Sequence, residues 1–154
     1  ATRQASVTNG LLAMRSETED DDWILVHDAA RPGLTHDLLD KLIAFVKDDA
    51  VGGLLALPMV DTIKRSDGHG RAEMTVERSA LWSAQTPQMF RHAQLLQALQ
   101  QVQQQAKQIT DEASAIEAMG HRPKLVEGCA RNLKVTLPQD LLIAELIFKD
   151  QGMS

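Results

Sequence analysis

The sequence of 154 residues lacks the features that mark several classes of protein. A single cysteine, Cys129, excludes an intrachain disulfide and a zinc site built on paired cysteines, and it favours a reducing compartment, so we expect a cytoplasmic protein. The net charge of −5 predicts no basic surface for a nucleic acid. No apolar run approaches the roughly 20 residues that span a bilayer. We therefore expect a soluble domain that acts on a small molecule.

Two common catalytic patterns are also missing. The five histidines fall at no metal-ligand spacing such as HExxH. Ser6 and Ser83 lack the glycines of a nucleophile elbow, which argues against a hydrolase triad. His27 precedes Asp28, but alternation along a strand would place the two side chains on opposite faces. We interpret His27 as a packed strand residue.

The most informative stretch that is present runs from Trp23 to Pro32, WILVHDAARP. Its four leading apolar residues are typical of a strand buried on both faces. Ligands of open α/β sheets bind just past the carboxyl ends of strands, so Asp28 is a candidate site residue. An Asp in this position is equally typical of a turn that it caps, with Pro32 ending the strand.

The remaining periodicity predicts one α/β domain over residues 1–154. Ser6 is predicted to cap a first helix. Thr35 is predicted to cap an amphipathic helix that leads to a short strand, Leu54 to Leu57, in a parallel crossover unit. We expect the segment from Ser79 to Phe90 to be an irregular return to the body of the domain. Thr110 is predicted to cap a helix that ends at Gly120.

A hairpin arm is predicted from about Met59 to Glu77. Two β-compatible segments there flank a turn-rich stretch, Ser66 to Gly70. Because an isolated two-stranded hairpin is only marginally stable in water, we expect a second subunit to support the arm.

Polar residues at strand ends and in loops form a candidate set for binding a magnesium–phosphate ligand. Mg²⁺ takes one or two carboxylates and completes its octahedron with phosphate oxygens and water, while Arg and Lys neutralise the remaining anion. Each residue taken singly is also compatible with an ordinary exposed surface position. The set comprises Ser6, Asp28, Arg31, Thr62, Lys64, Arg78, Thr86, Thr110, Asp111 and Lys134.

Five segments together resemble the 2-C-methyl-D-erythritol 4-phosphate cytidylyltransferase family. The resemblance runs nearly end to end and in the family's order. It implies a doubly wound, mostly parallel α/β fold of the Rossmann-like, nucleotide-diphospho-sugar transferase type, with a protruding β-hairpin dimerisation arm. It also implies transfer of CMP from CTP to methylerythritol phosphate in the non-mevalonate isoprenoid pathway. The segments are VHDAARP (Val26 to Pro32), PMVDTIKR (Pro58 to Arg65), VERSALWSAQTPQMF (Val76 to Phe90), ITDEASAIEAMG (Ile109 to Gly120) and RNLKVTLPQDLLIAE (Arg131 to Glu145).

The same resemblance implies roles for individual residues. Asp28 resembles the family's Mg²⁺ ligand, and Ser6 resembles a serine that contacts the cytosine and ribose of the nucleotide. Arg31, Arg78 and Lys134 are implied to orient the attacking phosphate, with Arg78 reaching the site from the opposite subunit of a homodimer. The residues implied to contact the substrate are Ala29, Thr62, Thr86 and Thr110.

One departure from the family is large. The family's glycine-rich PAAGxGxR-type loop and its lysine, which hold the triphosphate, are not found in the 154 residues, and we expect this chain alone to bind CTP poorly and to be inactive. Two alternatives remain open at this point. One is a cytidylyltransferase for another sugar-alcohol phosphate such as ribitol 5-phosphate. The other is a non-catalytic module that keeps the fold and the arm.

Overall fold

A computed structural model describes residues 2–150. Within that range no helix is both long enough and apolar enough to cross a membrane. The elements in chain order are α1 (Arg3–Ala13), β1 (Trp23–Val26), α2 (His36–Val46), β2 (Gly53–Pro58), β3 (Ile63–Ser66), β4 (Ala72–Val76), β5 (Trp82–Arg91), α3 (His92–Gln104), α4 (Glu112–Ala118), β6 (Lys124–Glu127) and α5 (Pro138–Asp150).

Four strands form the main sheet, in the order β1-β5-β2-β6. Strand β5 is antiparallel to both of its neighbours, whereas β2 and β6 pair in parallel. Strands β1, β2 and β6 therefore run in one direction. The predicted crossover from β1 through α2 to β2 joins two strands of the same direction, but β5 lies between them.

Helices cover both faces of this sheet, and each face has its own apolar core. On one face, α1, α3 and α4 pack against Leu54 and Phe90. On the other face, α2 packs against the next residue of β2, Leu55, and against Met89 of β5. Side chains that alternate along a strand thus enter opposite cores. The predicted doubly wound α/β fold is confirmed, and its sheet is mixed.

Strand β5 was not predicted, because its segment was expected to be irregular. It spans ten residues, and six of them in succession, Gln85 to Phe90, are buried. The polar side chains and the proline of this segment are not typical of a buried strand, so the sequence did not predict one. The pairing register with β2 shifts between Leu54 and Ala56, where three residues of β5 oppose one of β2. Pro87 lies in this bulge, a position where a strand tolerates a proline.

Two predicted helix caps are wrong, and the third is confirmed. The N-cap of α1 is Thr2, whose side chain accepts a hydrogen bond from the backbone of Ala5, while Ser6 lies inside the helix. The N-cap of α4 is Asp111 rather than Thr110, because the Asp111 carboxylate accepts from the Ser114 backbone at 2.9 Å. Thr35 caps α2 as predicted.

Strands β3 and β4 form a separate antiparallel hairpin, as predicted for the arm. Its side chains are almost entirely exposed. The hairpin therefore adds little apolar burial to the domain from which it protrudes.

Candidate active site

Asp28 lies two residues beyond β1 and is held there by β5. Its backbone N–H donates to Thr86 Oγ1 at 3.0 Å, and its carbonyl accepts from the Arg31 backbone at 2.9 Å in a tight turn. The Asp28 side chain is 13 % exposed. A carboxylate is therefore presented at the end of the strand, in a defined position and with limited access to water.

Three cationic side chains surround that carboxylate. Arg3 Nε donates to Oδ1 at 2.8 Å, and Lys134 Nζ lies 3.0 Å from Oδ2. Arg31 Nε is 3.9 Å from Oδ2. Burial raises the pKa of Asp28, but the hydrogen bonds from Lys134 and Arg3 and their charges outweigh it, so the pKa falls below its usual value. Asp28 is therefore ionised at neutral pH.

Arg31 connects the turn after β1 to two other parts of the site. One terminal nitrogen donates to the Asn132 carbonyl at 2.8 Å, and the other donates to the Ala84 carbonyl at 3.3 Å. Burial lowers the pKa of Arg31 from its usual value. Its Nε is buried without a hydrogen-bond partner among residues 2–150, so this donor faces Asp28 uncommitted.

Sequence reasoning missed Arg3 and Glu112. The terminal nitrogens of Arg3 donate to both carboxylate oxygens of Glu112, at 2.5 and 2.8 Å, and the Glu112 side chain is 1 % exposed. The hydrogen bond to Glu112 is the main cause that raises the pKa of Arg3, so its charge is fixed. The two residues are 109 positions apart, and no periodicity or motif in the sequence connects them.

His27 is not the packed strand residue that we predicted. It lies just past the end of β1 and is exposed. Its Nδ1 is 2.9 Å from Thr86 Oγ1 and its Nε2 is 2.9 Å from the Arg31 carbonyl. Because a carbonyl only accepts, Nε2 donates, and in that tautomer Nδ1 accepts from the Thr86 hydroxyl. Asn132 completes this network by donating to the Thr86 carbonyl at 2.7 Å.

A cleft of about 200 Å³ opens above these groups, and it brings together six of the candidate residues, Asp28, Arg31, Thr86, Thr110, Asp111 and Lys134. Arg3, Ala84, Gln85 and Gln88 also line this cleft. A neighbouring depression of about 310 Å³ joins two further predicted residues, Ser6 and Ala29, to Asp28 and Lys134.

Thr62, Lys64 and Arg78 are the candidate residues that the fold does not bring to these clefts, and Lys64 lies in β3 of the arm. Thr62 precedes β3 and Arg78 follows β4, so both are at the foot of the arm, and both are exposed. Neither residue lines the two clefts as residues 2–150 form them.

The site can offer Mg²⁺ one carboxylate ligand. Residues 2–150 contain no cluster of three or more His, Cys, Asp or Glu side chains that could hold a metal ion alone. A single carboxylate is sufficient for a Mg²⁺ ion whose other ligands are phosphate oxygens and water. Asp28 can supply that carboxylate to an ion that arrives with a phosphate ligand.

Comparison with known proteins agrees with this geometry. The family model for 2-C-methyl-D-erythritol 4-phosphate cytidylyltransferase matches residues 1–150. A protein of that name from Nitrosomonas eutropha is 55 % identical over 156 residues, which cover 100 % of this chain and 66 % of the relative. Its counterpart from Nitrosospira multiformis is 59 % identical over 152 residues, covering 97 % of this chain and 65 % of the relative. This chain thus spans about two thirds of the length of these curated relatives.

Solved structures give the same result. The crystal structure of the Francisella tularensis enzyme of that name has a TM-score of 0.87 and 36 % identity, covering 95 % of this chain and 68 % of its own. The corresponding structure from Thermus thermophilus has a TM-score of 0.84 and 33 % identity, covering 96 % of this chain and 70 % of its own. The chain described here belongs to the 2-C-methyl-D-erythritol 4-phosphate cytidylyltransferase family.

Proposed function

We propose that the protein carrying this chain transfers CMP from CTP to 2-C-methyl-D-erythritol 4-phosphate and releases pyrophosphate, in the non-mevalonate synthesis of isoprenoid precursors. The observation that carries this proposal is the cleft in which Arg3, Arg31 and Lys134 converge on Asp28. Relatives that match the whole chain are named for this activity. The lone cysteine supports a cytoplasmic setting.

The proposed reaction needs no protein nucleophile. A phosphate oxygen of methylerythritol phosphate attacks the α-phosphorus of CTP, the new P–O bond forms, and the bond to the bridging oxygen of pyrophosphate breaks. Two polyanions repel each other as they approach. Positioning and electrostatic stabilisation therefore supply the rate enhancement. Lys134 and Arg31, which both line the cleft, are the cations that would orient and screen the attacking phosphate.

Asp28 would hold Mg²⁺ together with phosphate oxygens of CTP. When bound, the ion would neutralise charge that develops on the transferring phosphoryl group. Ser6 lines the depression on the other side of Asp28, which supports the proposal that the nucleoside part of CTP binds there. Thr86 and Thr110 face the remaining cleft, on the side proposed for methylerythritol phosphate.

We also propose a homodimer joined through the arm, residues 59–77. The exposed hairpin and the position of Arg78 at its foot support this proposal. In such a dimer, Arg78 and Thr62 of one subunit would complete the cleft of the other.

The test is a chimera in which this chain replaces the matching segment of the Nitrosomonas eutropha relative, since the two align over the full length of this chain. Pyrophosphate release is measured with CTP, Mg²⁺ and either methylerythritol phosphate or ribitol 5-phosphate. We expect turnover with methylerythritol phosphate close to that of the unmodified relative. A folded chimera that prefers ribitol 5-phosphate, or that turns over neither substrate, would contradict the proposal.

The 154-residue chain by itself is the second sample. Because its sequence offers no glycine-rich cradle for a triphosphate, we expect it to bind CTP with Mg²⁺ much more weakly than the Nitrosomonas eutropha relative does. Isothermal titration of both proteins checks this. Equal affinities would show that the triphosphate is held by residues of this chain.

A further inference from the structure

Glu112 is a buried charge that the helix carrying it does not require. The start of α4 is already capped, because Asp111 and Ser114 form a reciprocal capping box. A Glu in the first turn of a helix is normally free to point into water. The Glu112 side chain is instead 1 % exposed and turns inward to Arg3. Burying a carboxylate costs several kcal/mol unless it is well paired, so the pair calls for an explanation beyond helix capping.

The pairing geometry shows what Glu112 does to Arg3. Both terminal nitrogens of the guanidinium donate to Glu112, one to each oxygen, which leaves the planar group no freedom to rotate. The remaining donor, Nε, points at Asp28 Oδ1 at 2.8 Å. One rigid guanidinium thus joins a buried carboxylate of α4 to the carboxylate of the cleft.

We propose that Arg3 and Glu112 are positioning residues that fix the carboxylate of Asp28, with Glu112 acting through Arg3. The proposal refines the cytidylyl transfer proposed above, and its kinetic test rests on that function. Lys134 can swing away from Asp28, because its side chain is 44 % exposed and it contributes a point charge. Arg3 cannot move away, since both terminal nitrogens of its guanidinium are bound to Glu112. The Asp28 carboxylate therefore keeps its orientation when the other cations of the cleft turn to an incoming phosphate.

Arg3 also occupies a position that no other side chain of the site shares. It lines the cleft with Thr110 and Asp111, the depression with Ser6 and Ala29, and a third hollow along the start of α4. The Arg3–Glu112 pair therefore sets Asp28 at the border between the two halves proposed for the nucleotide and for the polyol phosphate.

The first experiment needs no catalysis. In the 154-residue chain, solvent exchange of the Arg3 Nε–H is followed by NMR. A hydrogen-bonded, anchored Nε–H exchanges slowly, so we expect Glu112→Gln to accelerate its exchange about tenfold or more, and Asp28→Asn to do the same. Asp150→Asn makes the same chemical change in the exposed ion pair with Arg131 and serves as the matched control, with no expected effect.

The second experiment uses the chimera and compares kcat with KM. Loss of a residue that orients an active-site ligand typically lowers activity about 10- to 100-fold, so we expect Glu112→Gln and Arg3→Lys to lower kcat in that range with little change in KM. Lys keeps the charge of Arg3 but lacks the planar fork that binds both oxygens of Glu112 while Nε points at Asp28. In an Asp28→Asn background, Glu112→Gln should change kcat less than about twofold, because its effect passes through Asp28.

Three outcomes would overturn the inference. One is Nε–H exchange of Arg3 that is unchanged in Glu112→Gln. Another is kcat losses for Glu112→Gln and Asp28→Asn that simply multiply. The last is a loss of thermal stability in Glu112→Gln without any loss of kcat. If Glu112→Gln does not fold, Arg3→Lys supplies the kinetic comparison and Asp28→Asn supplies the exchange measurement, in which an unchanged Arg3 Nε–H exchange rate would overturn the inference. A wild-type chimera without cytidylyl transfer would refute the proposed function alone, because the exchange measurement still judges the positioning.

Discussion

At the scale of single residues, Asp28 is the group on which the most contacts of the site converge. Its two carboxylate oxygens meet Arg3 and Lys134, and its backbone is fixed by Thr86. We predict that Asp28→Asn in the chimera lowers kcat by about 10²-fold, as expected when one preorganised electrostatic group is removed. Steady-state turnover at saturating Mg²⁺ measures this.

The control for this prediction is Asp37→Asn, which makes the same change at an exposed position in the first turn of α2. It is expected to leave kcat unchanged. Asp28→Asn with the turnover of the wild type would exclude Asp28 from metal binding and from charge stabilisation.

The sequence predicted some residues of the site and not others, for a physical reason. Asp28, Arg31, Thr86, Thr110 and Lys134 stand at strand ends or inside motifs, and the fold brings all five to one cleft. Arg3 and Glu112 were missed because their contact depends on the docking of α1 beside α4. A helix that packs on a sheet leaves an imprint of period 3.6 in the sequence, whereas a single polar contact between two helix starts leaves none.

At the scale of secondary-structure elements, β5 is where local reasoning failed most clearly. Its glutamines are typical of an exposed segment, yet Gln88 is buried and donates to Asp111 Oδ2 at 2.9 Å while accepting from the Ala113 backbone at 2.8 Å. Gln85 donates to the Cys129 carbonyl at 3.0 Å. The side-chain nitrogens of both glutamines thus find acceptors at the start of α4 and in the loop after β6, which only the assembled fold supplies, while Gln85 Oε1 is buried without a hydrogen-bond partner among residues 2–150.

The N-cap of α4 gives a prediction about stability. Asp111→Ala removes the two hydrogen bonds that the carboxylate accepts, one from the Ser114 backbone and one from Gln88, so we expect a loss of about 1 to 2 kcal/mol in the free energy of unfolding. Urea denaturation of the 154-residue chain measures the change. Thr110→Ala serves as the comparison and is expected to cost less than about 0.5 kcal/mol. The reverse order of the two losses would restore Thr110 as the cap.

The arm gives a prediction about assembly. If Arg78 acts in the cleft of the partner subunit, a heterodimer of an Asp28→Asn subunit and an Arg78→Ala subunit contains one cleft with both residues intact. Mixing the two inactive chimeras should therefore restore part of the activity, up to about a quarter of the wild-type rate when exchange is random and complete. Subunit exchange is verified separately by mass spectrometry of labelled chains. Exchange without any recovery of activity would place Arg78 in the cleft of its own subunit.

At the scale of the whole molecule, carboxylates that are paired in the folded state make the free energy of unfolding depend on pH. Burial raises the pKa of Asp49, but hydrogen bonds from the Val51 and Gly52 backbones and from Lys124 outweigh it, so the pKa lies below the ordinary 3.8. A carboxyl group whose pKa is lower in the folded than in the unfolded state stabilises fully above the unfolded value. That contribution is lost as the pH falls from 3.8 through the folded pKa.

We therefore predict that Asp49→Asn is less stable than the wild type at pH 7 but loses less stability between pH 5 and pH 2. The amide oxygen still accepts from the Val51 and Gly52 backbones, so the variant isolates the effect of the charge. Urea unfolding at a series of pH values measures both curves. Parallel curves for the two proteins would mean that Asp49 has the same pKa in the folded and unfolded states.

Strand β5 also determines where the length of this chain can change. From Gln85 to Phe90 the strand is continuously buried, and Met89 and Phe90 enter opposite cores, so a shift by one residue would exchange the two cores and carry Thr86 away from Asp28. The loop between β3 and β4, residues 67–71, is exposed and lies outside the main sheet and the clefts. Insertions and deletions accumulated among relatives should therefore fall before Trp82, and a gap in an alignment between Gln85 and Phe90 would indicate an error of alignment rather than an event in evolution.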